Sequence, residues 1–117
     1  MGAGSGKSFG EYLVRQYAKV YAAQNITVNC IIPGIIKTDA WVSLKDERLD
    51  EGVTKTEDFA FFKKITEMTP MHRYAEPKEV GYLVEYLMSK NALFLTGVAI
   101  PFDGGLHLGP MPRESKL

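Results

Sequence analysis

The stretch NITVNCIIPGIIKT, residues 25–38, decides the fold. Ile26, Val28, Ile31 and Ile32 are β-branched, the side chains that pleated, half-buried surfaces favour. Residues 26–32 therefore read as a short strand, stopped by Pro33-Gly34. Its apolar side chains fall on both faces. That pattern belongs to a strand covered on both sides, as in a parallel α/β sheet.

Working outward, Phe9, Leu13, Tyr17, Val20 and Tyr21 recur at helical spacing, which predicts a helix over 8–23 with one buried stripe. Gln24-Asn25 breaks it. Downstream, residues 35–56 are irregular and include the charged run DERLDEG. Residues 57–68, EDFAFFKKITEM, read as a helix with Thr56 as N-cap and Phe59, Phe61, Phe62 and Ile65 apolar. Such a helix serves either as a lid over a greasy substrate or as ordinary packing against the sheet. Glu76-Pro77 opens another helix, with Val80, Leu83, Val84 and Leu87 inward. LTGVAIPFDGG, residues 95–105, is then a strand followed by a glycine turn. A helical crossover between the two strands makes them parallel and the connection right-handed.

Composition narrows the function classes. The chain has 117 residues, the size of one domain or part of one, and 45% apolar with 24% charged residues is ordinary for a soluble globular protein. Lys plus Arg equals Asp plus Glu, 14 each, so the basic footprint of a nucleic-acid binder is missing. The lone Cys30 excludes an internal disulfide and a cysteine-based zinc site, and no other metal-ligating pattern is present. No apolar run approaches the length of a membrane span. Gly6-Lys7-Ser8 fits the second half of a phosphate-binding loop, but Met1 stands where the first glycine belongs, leaving a P-loop NTPase a remote alternative. His72 and His107 read as surface or packing histidines, with no carboxylate constellation beside them. Residues 109–117 form an extended tail ending in Ser115-Lys116-Leu117. In a eukaryote that ending is a receptor-read peroxisomal address; otherwise the expected location is the cytoplasm.

Three motifs then occur in order: Val28-Asn29 with Pro33-Gly34, Ile36 and Thr38; Glu76-Pro77-Lys78-Glu79-Val80; and Thr96-Gly97 running to Asp103-Gly104-Gly105. Together they resemble the C-terminal half of a short-chain dehydrogenase/reductase. The resemblance implies an α/β fold: the C-terminal part of a Rossmann-like, doubly wound parallel sheet, with two parallel strands, flanking helices and a helical lid. Residues 1–108 would be that half domain, with the lid at about 39–72, and 109–117 the tail.

The resemblance also assigns roles. Lys7 takes the place of the family lysine, which bonds the ribose of NAD or NADP and lowers the pKa of a catalytic tyrosine. Pro33 and Gly34 shape the turn after the strand. The Ile36 backbone and Thr38 contact the carboxamide and a nearby phosphate, although Thr38 also suits a helix N-cap. Trp41, Phe59 and Phe62, with Phe61 and Met68, make an aromatic lid suited to a lipophilic or acyl-CoA substrate.

Ala3 stands four residues before Lys7, where the tyrosine belongs, and the wider spacing of enoyl reductases would fall before Met1. The Gly-rich dinucleotide turn and the family's catalytic serine are not among these residues either. The expectation is an NAD(P)-dependent oxidoreductase, moving hydride to or from a carbonyl or enoyl group of a small-molecule substrate. This chain would be an incomplete, inactive representative, paired with itself or with a full-length relative. The alternative is a non-catalytic interaction or oligomerisation module.

Overall fold

The structure, a computed structural model, describes residues 3–37 and 63–110, with side chains from residue 8 onward in the first range. The chain divides into two compact units: Met1–Ile32 with Gly81–Pro101, and Pro33–Val80 with Phe102–Leu117. Strands β1 (Cys30–Pro33) and β2 (Ala99–Phe102) pair as a two-stranded sheet. The Cys30 N–H donates to Val98 O at 3.0 Å, and the Gly34 N–H to Phe102 O at 2.9 Å. Both bonds keep the same sequence offset, the signature of a parallel pair.

In the first unit, helix α1 (Ala3–Tyr21) runs into a 3₁₀ turn, Ala22–Gln24, and ends at Asn25. Asn25 has φ 59°, a left-handed conformation that asparagine tolerates better than most residues, and its N–H closes on Ala22 O at 3.0 Å. The approach to β1 is laced by side chains rather than by a regular ladder. The Val28 N–H donates to Thr96 Oγ1 at 3.0 Å. Asn29 Nδ2 donates to Leu95 O at 3.0 Å, and its Oδ1 accepts the Val98 N–H at 3.2 Å. The Val-Asn and Thr-Gly motifs are thus two halves of one seam. Gly97, at φ 77°, completes it by donating to Val28 O at 2.8 Å. A Cβ at Gly97 would lie 3.3 Å from the Ala18 Cβ, so two small residues let helix and seam approach closely.

Helix α2 (Pro77–Met88) begins as expected, with Pro77 in its first turn, where a missing N–H costs nothing. Val80, Leu83 and Leu87 are half-buried, whereas Val84 is exposed. Ser89 ends the helix: its hydroxyl donates to Tyr86 O at 2.6 Å and accepts the Asn91 N–H at 3.2 Å. In the second unit, residues 63–68 are helical and Thr69 terminates them, its N–H and Oγ1 both donating to Ile65 O. The His72 N–H then turns back to Thr69 O at 2.8 Å, with His72 itself at φ 53°.

Several expectations need correction. The helix predicted over 8–23 begins at Ala3 and ends at Tyr21. Its apolar stripe is not buried: Phe9, Tyr17, Val20 and Tyr21 are exposed, and Leu13 is half-buried. The buried residue is Ala18, because the contact at Gly97 admits only a small side chain. The strand expected over 26–32 is the shorter Cys30–Pro33, since the side chains of Asn29 and Thr96 occupy the bonding groups of the earlier positions. Gly4 to Ser8 are helical, so the phosphate-loop alternative has no loop to stand on. The lid helix is described only from residue 63, and Met68 is exposed. Among the described residues, no helix is long and apolar enough to cross a membrane.

Substituting Asn29 by leucine removes both side-chain bonds and leaves Leu95 O and the Val98 N–H without that partner. Unsatisfied, part-buried backbone groups cost about 1–3 kcal/mol each at most. We expect the urea midpoint of N29L to fall markedly, with N29D, which keeps the acceptor, between it and the parent.

Candidate cofactor-facing turn

Both strands end at the same place in the sheet, and the segments leaving their carboxyl ends meet in the second unit. Open α/β sheets bind ligands at such carboxyl ends. After β1 the chain passes through Gly34, whose Cα lies against the backbone leaving β2. A Cβ at Gly34 would lie 2.6 Å from Asp103 Cβ and 2.7 Å from Asp103 Cα, so no other residue fits without moving one of the two strands. This explains the Pro-Gly step by steric closeness rather than by strand termination alone.

Beyond Gly34, Ile36 forms an isolated parallel bridge with Ala75. Its two bonds run from the Ala75 N–H to Ile35 O at 2.9 Å and from the Lys37 N–H to Ala75 O at 2.9 Å. In a parallel bridge the flanking residues supply both bonds, so the peptide groups of Ile36 point the other way. One N–H and one C=O on adjacent sides of a fixed residue match the acceptor and donor of a flat primary carboxamide. The residues present therefore fit the nicotinamide end of a dinucleotide.

The turn after β2 is tightly organised. Gly104 and Gly105 have φ 62° and 92°, conformations that glycine adopts without cost. A Cβ on Gly104 would lie 2.8 Å from Thr69 Cγ2, and one on Gly105 would lie 3.1 Å from Pro70 Cγ. Gly104 O accepts the Met71 N–H at 3.1 Å. Asp103 Oδ1 accepts the Gly105 N–H and Oδ2 the His107 N–H, each at 3.0 Å. His107 Nδ1 lies 2.9 and 3.0 Å from the two carboxylate oxygens, a contact that requires the proton on Nδ1. Burial pushes the Asp103 carboxyl up. The hydrogen bonds from the His107 ring and from the Gly105 and His107 N–H groups outweigh it and hold the group below its usual range.

Where Ala75 leads into α2, Arg73 grips Glu79 with two bonds, Nη1 to Oε2 at 3.0 Å and Nη2 to Oε1 at 2.7 Å. Glu79 Oε2 also accepts the Glu76 N–H at 2.8 Å, the reciprocal half of a capping box. The Arg73 hydrogen bonds foremost, then the Glu76 N–H, lower the Glu79 carboxyl to about 2. The Glu-Pro-Lys-Glu motif thus fixes the start of α2 next to the residue that bridges Ile36.

Of the residues singled out from sequence, Pro33, Gly34 and Ile36 come together in this one turn. Lys7 is a residue of α1, in the other unit. Thr38, Trp41, Phe59, Phe61, Phe62, Ser115, Lys116 and Leu117 lie outside the described residues. The reading of His107 needs correction, since its ring sits against the Asp103 carboxylate, which also accepts the His107 N–H inside the 3₁₀ turn Leu106–Leu108. The i,i+4 spacing of Asp103 and His107 was the available signal; the two intervening glycines disguised it. Ala75 and the Thr69-Pro70 seat carried no sequence signal.

A parallel strand pair, a turn at its carboxyl end whose Ile36 peptide groups point away from the bridge to Ala75, and a glycine pair closing the next strand are the marks of part of a Rossmann-type sheet. Residues 3–107 match the family model described as Enoyl-(Acyl carrier protein) reductase. The chain belongs to the short-chain dehydrogenase/reductase family. It is 37% identical over 93 residues to diacetyl reductase [(S)-acetoin forming] of Staphylococcus epidermidis, covering 76% of this chain and 34% of that one. It is 32% identical over 97 residues to the 3-oxoacyl-[acyl-carrier-protein] reductase MabA of Mycobacterium tuberculosis, covering 83% of this chain and 34% of that one. Among solved structures, L-sorbose reductase of Gluconobacter frateurii, complexed with NADPH and L-sorbose, superposes with TM-score 0.72 at 28% identity, covering 86% of this chain and 38% of that one. The chain therefore spans about a third of the length of the curated relatives it matches.

Two outcomes test this geometry. G34A should cost about 1–3 kcal/mol, the range for forcing a group into a packed contact, read as a lowered thermal midpoint. A depressed carboxyl pKa contributes stability that is present above the unfolded value, 4.5, and is lost as pH falls toward about 2. Amide protection at the start of α2 should accordingly weaken over that window, and E79Q should abolish this dependence. A Glu79 carboxyl resonance titrating at or above 4 would show that the Arg73 pairing does not form in solution.

Proposed function

We propose that this chain supplies the nicotinamide end of the active site of an NAD(P)-dependent reductase acting on a carbonyl group. The observation that carries the reading is the Ile36 turn, with its peptide groups left out of the bridge to Ala75 and its path fixed at Gly34. The names of two relatives, a diacetyl reductase and a 3-oxoacyl reductase, support a carbonyl substrate, whereas the description of the matching family model names an enoyl one. A dinucleotide held at this turn would supply hydride chemistry toward the carbonyl carbon, with the proton for the oxygen coming from a tyrosine. Lys7 holds the ribose and, as a nearby cation, lowers that tyrosine's pKa. Pro33 and Gly34 set the turn, the Ile36 peptide groups hold the carboxamide, and Thr38 bonds the carboxamide side or the adjacent phosphate. Trp41, Phe59 and Phe62 close over a lipophilic or acyl substrate as part of the lid at 39–72.

In this reading the tyrosine and the Gly-rich pyrophosphate turn come from outside these residues, because Ala3 occupies the position four before Lys7. Residues 1–108 are then the C-terminal half of one Rossmann domain. The 117-residue chain alone does not turn over, and the working protein is an oligomer. In a eukaryotic source Ser115-Lys116-Leu117 directs it to peroxisomes. A second reading, a non-catalytic module that pairs with a full-length relative, draws on the exposed aromatic surface of α1 and α2, where Tyr12, Tyr17, Tyr82 and Tyr86 stand open.

The test begins with the protein from its native source: its intact mass, and its consumption of NADPH or NADH with a 3-oxoacyl thioester and with diacetyl. A protein much heavier than this chain that oxidises the cofactor is expected. In it, replacing Lys7 by alanine should lower kcat/KM by a factor of about 100 or more, as loss of a group tuning a general acid does. A native mass equal to that of this chain, with no turnover, would favour the module.

A further inference from the structure

We propose that Asp103 and His107 are positioning residues for the cofactor-facing turn. His107 locks the Asp103 carboxylate, and Asp103 fixes the path of the chain from Gly34 to Ile36. The inference rests on the reading of the Ile36 turn as the carboxamide contact.

Gly34 sits so close to Asp103 that a Cβ would lie 2.7 Å from Asp103 Cα, so any displacement of the Asp103 backbone displaces Gly34. With no room left for even a Cβ, the two backbones lie against each other, and close-packed groups shift together rather than yield separately. Gly34 is also tied by its N–H to Phe102 O at 2.9 Å, the last rung before Asp103. Two residues later comes Ile36, whose peptide groups do the proposed binding.

What holds Asp103 is its own side chain. It accepts N–H groups from Gly105 and His107 and the ring of His107, four contacts of 2.9–3.0 Å on two oxygens. The side chain of Asp103 is only 10% exposed, while that of His107 is 48% exposed. The imidazole therefore acts as an outer latch on an inner carboxylate. Without it the Asp103 oxygens keep two backbone bonds, and the two left-handed glycines between them regain freedom. The same turn presses on Thr69 and Pro70, which lead to Ala75, the other tether of Ile36. One carboxylate thus governs both anchors of the binding residue.

The test uses H107A and H107N in the full-length native protein, since asparagine presents an N–H close to the position of Nδ1. Two quantities are read in each: hydrogen exchange of the Gly34 and Lys37 amides, and KM for NADPH against kcat. The expected result for H107A is faster exchange at both amides and a KM raised roughly threefold to tenfold, the range for one lost hydrogen bond. The kcat should stay within about twofold, and H107N should restore both quantities. Unchanged exchange, or faster exchange with an unchanged KM in a protein that binds NADPH, overturns the inference alone. Equal losses in KM and kcat that H107N does not rescue mean general destabilisation and also overturn it. If the parent protein binds neither NADPH nor NADH, the proposed function falls, and this inference with it.

Discussion

The approach of Gly34 to Asp103 is the constraint on which the second unit depends. Two parallel strands leave the sheet side by side, and beside Asp103 the first residue beyond β1 has no room for a side chain of its own. Everything downstream follows from that closeness. Asp103 cannot move, so its carboxylate can cap the turn. The capped turn lets two left-handed glycines lie flat on Thr69 and Pro70. That seat delivers Ala75 to the bridge with Ile36. The order is steric first, then electrostatic, then hydrogen-bonded.

The first unit is built on a different economy. Its seam is made by one asparagine amide and one threonine hydroxyl standing in for backbone groups, and Ala18 of α1 lies close against Gly97. Only Ala18 and Ala92 among the described apolar residues are buried. Polar lacing and a small-residue contact hold this part of the chain together. Large side chains such as Phe94, fully exposed, contribute surface instead.

The sequence carried much of this, for identifiable reasons. Strand identity, helix α2 and the parallel pairing were legible because β-branched runs, an early proline and a helical crossover are local signals. The family was legible because three short motifs kept their order and separation. The buried face of α1 was not, because hydrophobic periodicity weighs large side chains, whereas the contact here selects a small one. The Asp103–His107 pair was missed because its partners face each other across glycines, and a turn of that shape has no periodicity. The bridge at Ala75 joins residues nearly forty positions apart, a distance over which composition says nothing.

Pro33 has a further consequence. The Cys30 and Gly34 N–H groups point toward β2, so by the alternation of a strand those of odd-numbered neighbours face the outer edge. Position 33 is one of them, and proline has no N–H to offer there. The outer edge of β1 therefore carries a gap in its row of donors just before the cofactor-facing turn. A neighbouring strand can pair fully along Ile31, but at the next rung it finds only the Pro33 carbonyl as acceptor and no N–H to accept from. The residue that ends the strand thus also removes one donor from the rung at which a further strand would pair beside the Ile36 turn.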